Sequence, residues 1–150
     1  MNLCSNGLGI FVIPIKFNLN TTTYNDYLDF LVQAENWGYT DVYIGEHLKG
    51  KEHGQGTYFW KSGDKYIGQW KNGEINGQGT YIWGPNSKKS GDKYIGQWEN
   101  GKKSGFGKLI FSDGEIYIGE FLNNKKNGQG ISISPGKEKQ FGEWKNGKKI

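Results

Sequence analysis

The chain has no arginine; all 19 of its basic residues are lysines. Lysine supplies a point charge without the planar fork that grips phosphate or carboxylate in two places. A basic surface built this way suits diffuse attraction more than close reading of a headgroup or base, although a lysine-biased genome gives the same absence. Cys4 stands alone, which excludes a disulfide framework. With His47 and His53 as the only histidines, the chain falls short of the roughly four nitrogen or sulfur ligands of structural zinc. No stretch approaches the ~18 consecutive apolar residues of a membrane span. The apolar run at residues 8–15 has no basic stretch before it and no clear cleavage site after it, so it does not read as a signal peptide. A reduced, cytoplasmic setting is the expectation.

What is abundant is glycine together with large rings: 25 Gly beside six Trp, nine Tyr and eight Phe. Disordered chains lack large apolar groups to bury, so this pairing points to a β-rich protein with many turns. Charge is unevenly placed. Residues 1–41 carry one lysine and four acids, whereas residues 42–150 carry 18 lysines and 11 acids. Such a split fits two origins or a basic binding surface.

An internal period explains the second part. Tyr43, Tyr66, Tyr94 and Tyr117 each begin "YIG", at spacings of 23, 28 and 23, and "QFGEW" takes the same place from Gln140. The longer spacing holds a five-residue insertion near "GPNSKKSGDK". A Gly-x-Gly begins eleven residues after each Tyr, at Gly54, Gly77, Gly105 and Gly128. An aromatic ring follows four residues after the Tyr position at Trp70, Trp98, Phe121 and Trp144, with His47 in that slot of the first repeat.

One repeat reads as a hairpin. Asn72-Gly73 between alternating residues is a strong two-residue turn signal. It pairs Lys71 with Glu74 and Trp70 with Ile75, and by simple continuation sets Gly68 opposite Gly77 and Tyr66 opposite Gly79. Tyr66, Gly68 and Trp70 share one face because strand side chains alternate. Rings thus face bare backbone, and a neighbouring ring covers strand glycines that are otherwise a weakness. The β-prone "TYIW" continues the second strand, and "KSGDK" turns the chain back. Residues 84–89 are expected to be an exposed, mobile loop.

The pattern Tyr-x-Gly-x-Trp, Asn-Gly, Gly-x-Gly and an aromatic strand resembles the MORN repeats. The resemblance covers residues 43–150, four full repeats and a partial fifth. It departs at "ISIS" in the fourth repeat and at Asn123-Asn124 in place of Asn-Gly.

Before the repeats, "GIFVIPI" (residues 9–15) looks like a buried parallel strand. Residues 24–37 read as a helix, with Thr23 and Asp26 as a capping pair and Gly38 as its stop. "TDVYIGEH" resumes as a strand. This strand–helix–strand order resembles the start of the luciferase-like flavin monooxygenases, which are (β/α)₈ barrels, over about residues 8–47. That resemblance places His47 near a flavin pocket. Sites in such barrels combine the ends of several strands, and the remaining units are missing, so His47 is read as filling an aromatic slot and no flavin is expected. "YIGEH" fits both families; a fusion at this point is the reading. Residues 43–46 are expected to form the first repeat strand, with Gly45 opposite Gly54 and Tyr43 opposite Gly56, and residues 1–40 to act as an improvised cap.

The fold expected is therefore mainly β: a curved single-layer antiparallel meander of MORN-type hairpins over residues 43–150, preceded by a short βαβ segment over residues 1–42. No catalytic, cofactor or metal constellation is found. "GKKSGFGK" has one residue too many before Gly-Lys for a phosphate loop, and Leu109 replaces the needed hydroxyl. The acids read as solvated surface near turns. Rings beside lysines could stack bases, but packing of the sheet is the simpler cause, so no nucleic acid is expected. The function expected is a noncatalytic scaffold for an unidentified protein partner. The alternatives are peripheral binding to acidic phospholipid membrane, which the MORN resemblance also implies, and an inactive flavin-enzyme remnant. The candidate interaction surface is Tyr66, Trp70, Lys71, Tyr94, Trp98, Lys102, Lys103, Tyr117, Phe121, Lys125, Lys126 and Trp144.

Overall fold

The computed structural model describes Cys4–Asn6, Ile10–Ile13 and residues 41–150. They form one open sheet whose strand order follows the chain. The strands are β1 (Cys4–Asn6), β2 (Ile10–Ile13), β3 (Asp41–Leu48), β4 (Lys51–Phe59), β5 (Lys65–Lys71), β6 (Glu74–Ile82), β7 (Lys93–Glu99), β8 (Lys102–Ile110), β9 (Ile116–Leu122), β10 (Lys125–Ile133), β11 (Gln140–Lys145) and β12 (Lys148–Lys149). From β3 to β12 every neighbour is antiparallel, giving the ten-strand meander expected from the repeats.

Each repeat is one hairpin with a left-handed two-residue turn. Asn72 and Gly73 have φ of 54° and 88°, and Asn123 and Asn124, 48° and 70°. Asparagine tolerates this region better than most residues, so Asn124 replaces glycine without changing the turn. Lys49-Gly50 turns the first hairpin, with Leu48 opposite Lys51. Successive hairpins lock together at these turns. Gly73 N–H donates to Glu52 O at 2.9 Å, Gly101 to Ile75 O at 2.9 Å, Asn124 to Lys103 O at 3.0 Å and Gly147 to Lys126 O at 2.8 Å.

The register corrects the simple hairpin. Lys71–Glu74 and Trp70–Ile75 pair as expected, but Gly68 then faces Gly79 and Tyr66 faces Tyr81. Likewise Gly45 faces Gly56, and Tyr43 faces Tyr58. A bulge causes the shift: Gln69 alone spans the stretch where β6 has Asn76, Gly77 and Gln78. Gly77 sits at φ 90°, a conformation open to glycine, and so serves the bulge instead of the ring contact. The Gln69 side chain bridges the gap, its Oε1 accepting the Gln78 N–H at 2.7 Å. Glu46, Gln97 and Glu120 do the same for Gln55, Phe106 and Gln129 at 2.9, 2.8 and 2.8 Å.

Beyond the bulge the alignment never slips. Gly56, Gly68, Gly79, Gly96, Gly107, Gly119, Gly130 and Gly142 meet strand by strand. Tyr43, Tyr66, Tyr94 and Tyr117 each cover the glycine of their own strand and its partner on the next strand, so the ring comes from within the pair. A Cβ on Gly68 would lie 2.5 Å from Gly79 Cα and 2.6 Å from Tyr66 Oη.

Residues 84–89 lie outside any strand, as expected. Gly84 itself is buried, its N–H held by Asp64 Oδ1 at 2.8 Å. At the other end, β2 lies parallel to β3, with Ile10 opposite Asp41 and Ile13 opposite Ile44, so both edges of β3 are paired. The helix expected at residues 24–37 lies outside the described residues, and no helix occurs among them.

Two outcomes follow. Gly79→Ala should destabilise the sheet by about 1–3 kcal/mol through overpacking under Tyr66, read as a fall in melting temperature; an unchanged Tm would refute the ring-over-glycine packing. Removing residues 1–40 should lower stability or solubility, because it uncovers the β3 edge; a truncated protein with full stability and solubility would show that the segment is no cap.

Candidate interaction surface

The two faces of the sheet differ because of strand alternation. On the inner face Tyr43, Tyr66, Tyr94 and Tyr117 are fully buried. Between them stand Trp70, Trp98, Phe121 and Trp144, in a zigzag of edge-on contacts. Trp70 lies 5.4 Å from Tyr43 and 5.3 Å from Tyr66, and Trp98 lies 5.8 Å from Tyr66 and 5.0 Å from Tyr94. Phe121 and Trp144 continue the row at 5.0–5.2 Å from Tyr94 and Tyr117. Edge-to-face pairs of this kind add about 0.5–1.5 kcal/mol each beyond burial. Trp70, Trp98 and Trp144 thus occupy equivalent places, opposite Gly54, Gly77 and Gly128.

The tyrosine hydroxyls have structural partners. Tyr66 donates to Gln69 O and Tyr94 to Gln97 O, both at 3.0 Å; Tyr43 donates to Glu46 O at 2.7 Å and Tyr117 to Glu120 O at 3.3 Å. These carbonyls belong to the residues opposite the bulges. Burial pushes Tyr58 up to about 12 and raises Tyr43, Tyr66, Tyr94 and Tyr117 above the usual phenol range, led in every case by loss of hydration.

The rings offered by sequence as an interaction surface are therefore interior. Tyr66, Trp70, Tyr94, Trp98, Tyr117, Phe121 and Trp144 have almost no exposed area, because each ring but the last is wedged between two others, and Trp144 lies between Tyr117 and the Lys149 ammonium. Lys103 is interior too, at 4% exposure. Its Nζ lies 5.2 Å above Trp83, 5.5 Å from Tyr94 and 5.9 Å from Phe121, in cation–π contact. Burial lowers its pKa to about 8, helped by Lys89 and opposed by Asp92. Lys126 is half-buried over Tyr117 at 4.7 Å and bridges Glu115 at 3.2 Å. Only Lys71, Lys102 and Lys125 of that set are exposed. His47 holds the aromatic slot by register, opposite Glu52, yet is exposed, because no preceding repeat supplies a second tyrosine.

Several structural residues escaped the sequence reading. Asp41, Asp64 and Asp92 are not merely solvated: each accepts a backbone N–H twenty residues on, from Lys61 at 2.7 Å, Gly84 at 2.8 Å and Ser112 at 3.0 Å. Their fixed place two residues before Tyr43, Tyr66 and Tyr94 was the available signal. On the outer face the missed residues are apolar and open: Phe106 is 60% exposed, Leu122 51% and Phe141 64%. Phe106 stands where other repeats have Gln55, Gln78 and Gln129, so its departure from the repeat was legible.

A family model, described as MORN repeat, matches residues 43–65, 66–88, 94–116, 117–137 and 141–149. Its gap after residue 88 falls at the insertion. A search of curated proteins returned no match.

The buried ionisable groups set a pH signature. Lys103 holds its proton less tightly folded, at about 8, than unfolded, at 10.5. The unfolded chain then binds more protons between these values, so stability rises with pH there. Unfolded tyrosines ionise near 10.0 while the folded ones stay neutral, so stability falls above that. Urea unfolding should show a maximum near pH 9, about 1 kcal/mol above pH 7. Lys103→Met should abolish the rise and keep the alkaline fall; a rise surviving in that variant would assign it elsewhere.

Proposed function

The chain belongs to the MORN-repeat family, and from that premise we propose that it is a noncatalytic scaffold holding another protein on the outer face of its sheet. The observation that carries this reading is the division between faces. The central row of inner rings is consumed by the sheet's own packing, with Trp60, Tyr81, Trp83 and Phe111 partly buried along its border. The outer face leaves Ile67, Ile95, Phe106, Leu122 and Phe141 exposed, beside lysines at the turn edge. Exposed apolar groups rimmed by charge are the usual mark of a docking surface, and repeat sheets offer such surfaces at regular intervals.

A second reading is peripheral contact with anionic phospholipid. It is favoured by exposed lysines at the hairpin turns, Lys51, Lys71, Lys102, Lys125, Lys145 and Lys148, near exposed Leu48 and Leu122. Each well-placed lysine supplies about 1 kcal/mol near an acidic membrane, an attraction that salt screens.

The division into residues 1–42 and 43–150 belongs to the same proposal, as do a cytoplasmic setting and a flavin-monooxygenase origin for the first segment. The parallel Ile10–Ile13 ladder on β3 supports a crossover between the two strands. The family match covers none of residues 1–42.

Cosedimentation with phosphatidylserine vesicles across a salt series separates the two readings. The scaffold reading expects no salt-sensitive binding. It also expects Ile95→Asp to lose a captured partner protein while keeping its melting temperature. Vesicle binding that disappears at high salt would favour the membrane instead.

A further inference from the structure

The outer turn edge changes character along the sheet. In the second repeat Lys71 faces Glu74 across the hairpin. In the third to fifth repeats the same row carries Lys102, Lys125, Lys145 and Lys148, all exposed. Among the described residues the only ion pair is Lys126–Glu115, so these four lysines have no carboxylate partner. Glu99, opposite Lys102, instead accepts from Ser104 Oγ at 3.3 Å. Glu120 is engaged at the bulge with Gln129 N–H. Beside this row stands Leu122, opposite Lys125 and more than half exposed.

The spacing is regular. Because the glycine alignment never slips, equivalent positions in adjacent repeats are two strand spacings apart, about 9–10 Å. Lys102, Lys125 and Lys148 are such equivalents, starting β8, β10 and β12. A polyproline II segment rises about 3.1 Å per residue with three residues per turn, so every third side chain lies on one side, about 9.3 Å apart.

We infer that the outer turn edge of the third to fifth repeats is a docking track for an acidic segment of a partner protein, bound in the polyproline II form with a carboxylate at every third residue. Lys102, Lys125 and Lys148 take successive carboxylates, and Leu122, on the strand between the first two, receives an apolar side chain. The segment needs no arginine fork, since each contact is one point charge to one carboxylate. Its extended form is already ordered before binding, which reduces the entropy lost on docking. The inference rests on the scaffold reading and names the chemistry of the partner.

The test is fluorescence anisotropy of the full chain with a labelled peptide of repeated Glu-Pro-Pro triplets. The control has the same composition with its glutamates contiguous. The triplet peptide should bind more tightly. Lys102→Gln, Lys125→Gln and Lys148→Gln should each weaken it by about two- to fivefold, at unchanged melting temperature. Equal or tighter binding of the contiguous peptide, or unchanged binding by the triple variant, would overturn the docking track. Capture of a partner protein unaffected by the triple substitution overturns the track and leaves the scaffold standing. Lysine-dependent binding to phosphatidylserine vesicles alone overturns both.

Discussion

The sheet depends on one contact: a tyrosine ring laid across a pair of glycines. Tyr66 crosses Gly68 on its own strand and Gly79 on the next, and its hydroxyl ends on Gln69 O. Three demands are met together. The ring buries apolar area, the glycines permit its close approach, and the hydroxyl satisfies a carbonyl beside the bulge. The bulge and the tyrosine are thus a single device. Without the bulge the Gln69 carbonyl would lie in an ordinary ladder; without the tyrosine the bulge would leave it exposed to loss of its partner.

Repetition turns this local device into a single-layer fold. A flat sheet with one apolar face normally needs a second layer to cover it. Here Trp70, Trp98 and Phe121 each fill the space between tyrosines of adjacent repeats, so the centre of the face covers itself, and stability accumulates by nearest-neighbour contacts. The turns add to this, since each second turn residue donates to the carbonyl of the preceding repeat. The device weakens where a neighbour is missing, as at exposed His47, and where Ser132 replaces the Tyr58, Tyr81 and Leu109 of earlier repeats.

The same alternation separates stability from recognition. Rings and the stacked Lys103 are committed to the inner face, whereas the outer face is free to vary. Phe106 in place of glutamine changes what the surface offers while its backbone N–H keeps the Gln97 contact at 2.8 Å. Variation of this sort costs the fold little, because the bulge acceptor is a side chain on the opposite strand and does not depend on what Phe106 presents to solvent.

The sequence by itself determined the repeat, its period, the hairpin turns, the antiparallel order and the equivalence of Trp70, Trp98 and Trp144. These are local or periodic properties, fixed by Asn-Gly chemistry and by alternation along a strand. Tertiary structure decided the register beyond the turn, because a bulge inserts residues without leaving a periodic mark except a glycine at positive φ. It also decided which lysines are exposed. Lys102 and Lys103 are adjacent and chemically identical in sequence, yet one faces solvent and the other lies among Trp83, Tyr94 and Phe121. Strand alternation separates the two, but only the rings brought in from neighbouring repeats determine which side becomes the interior.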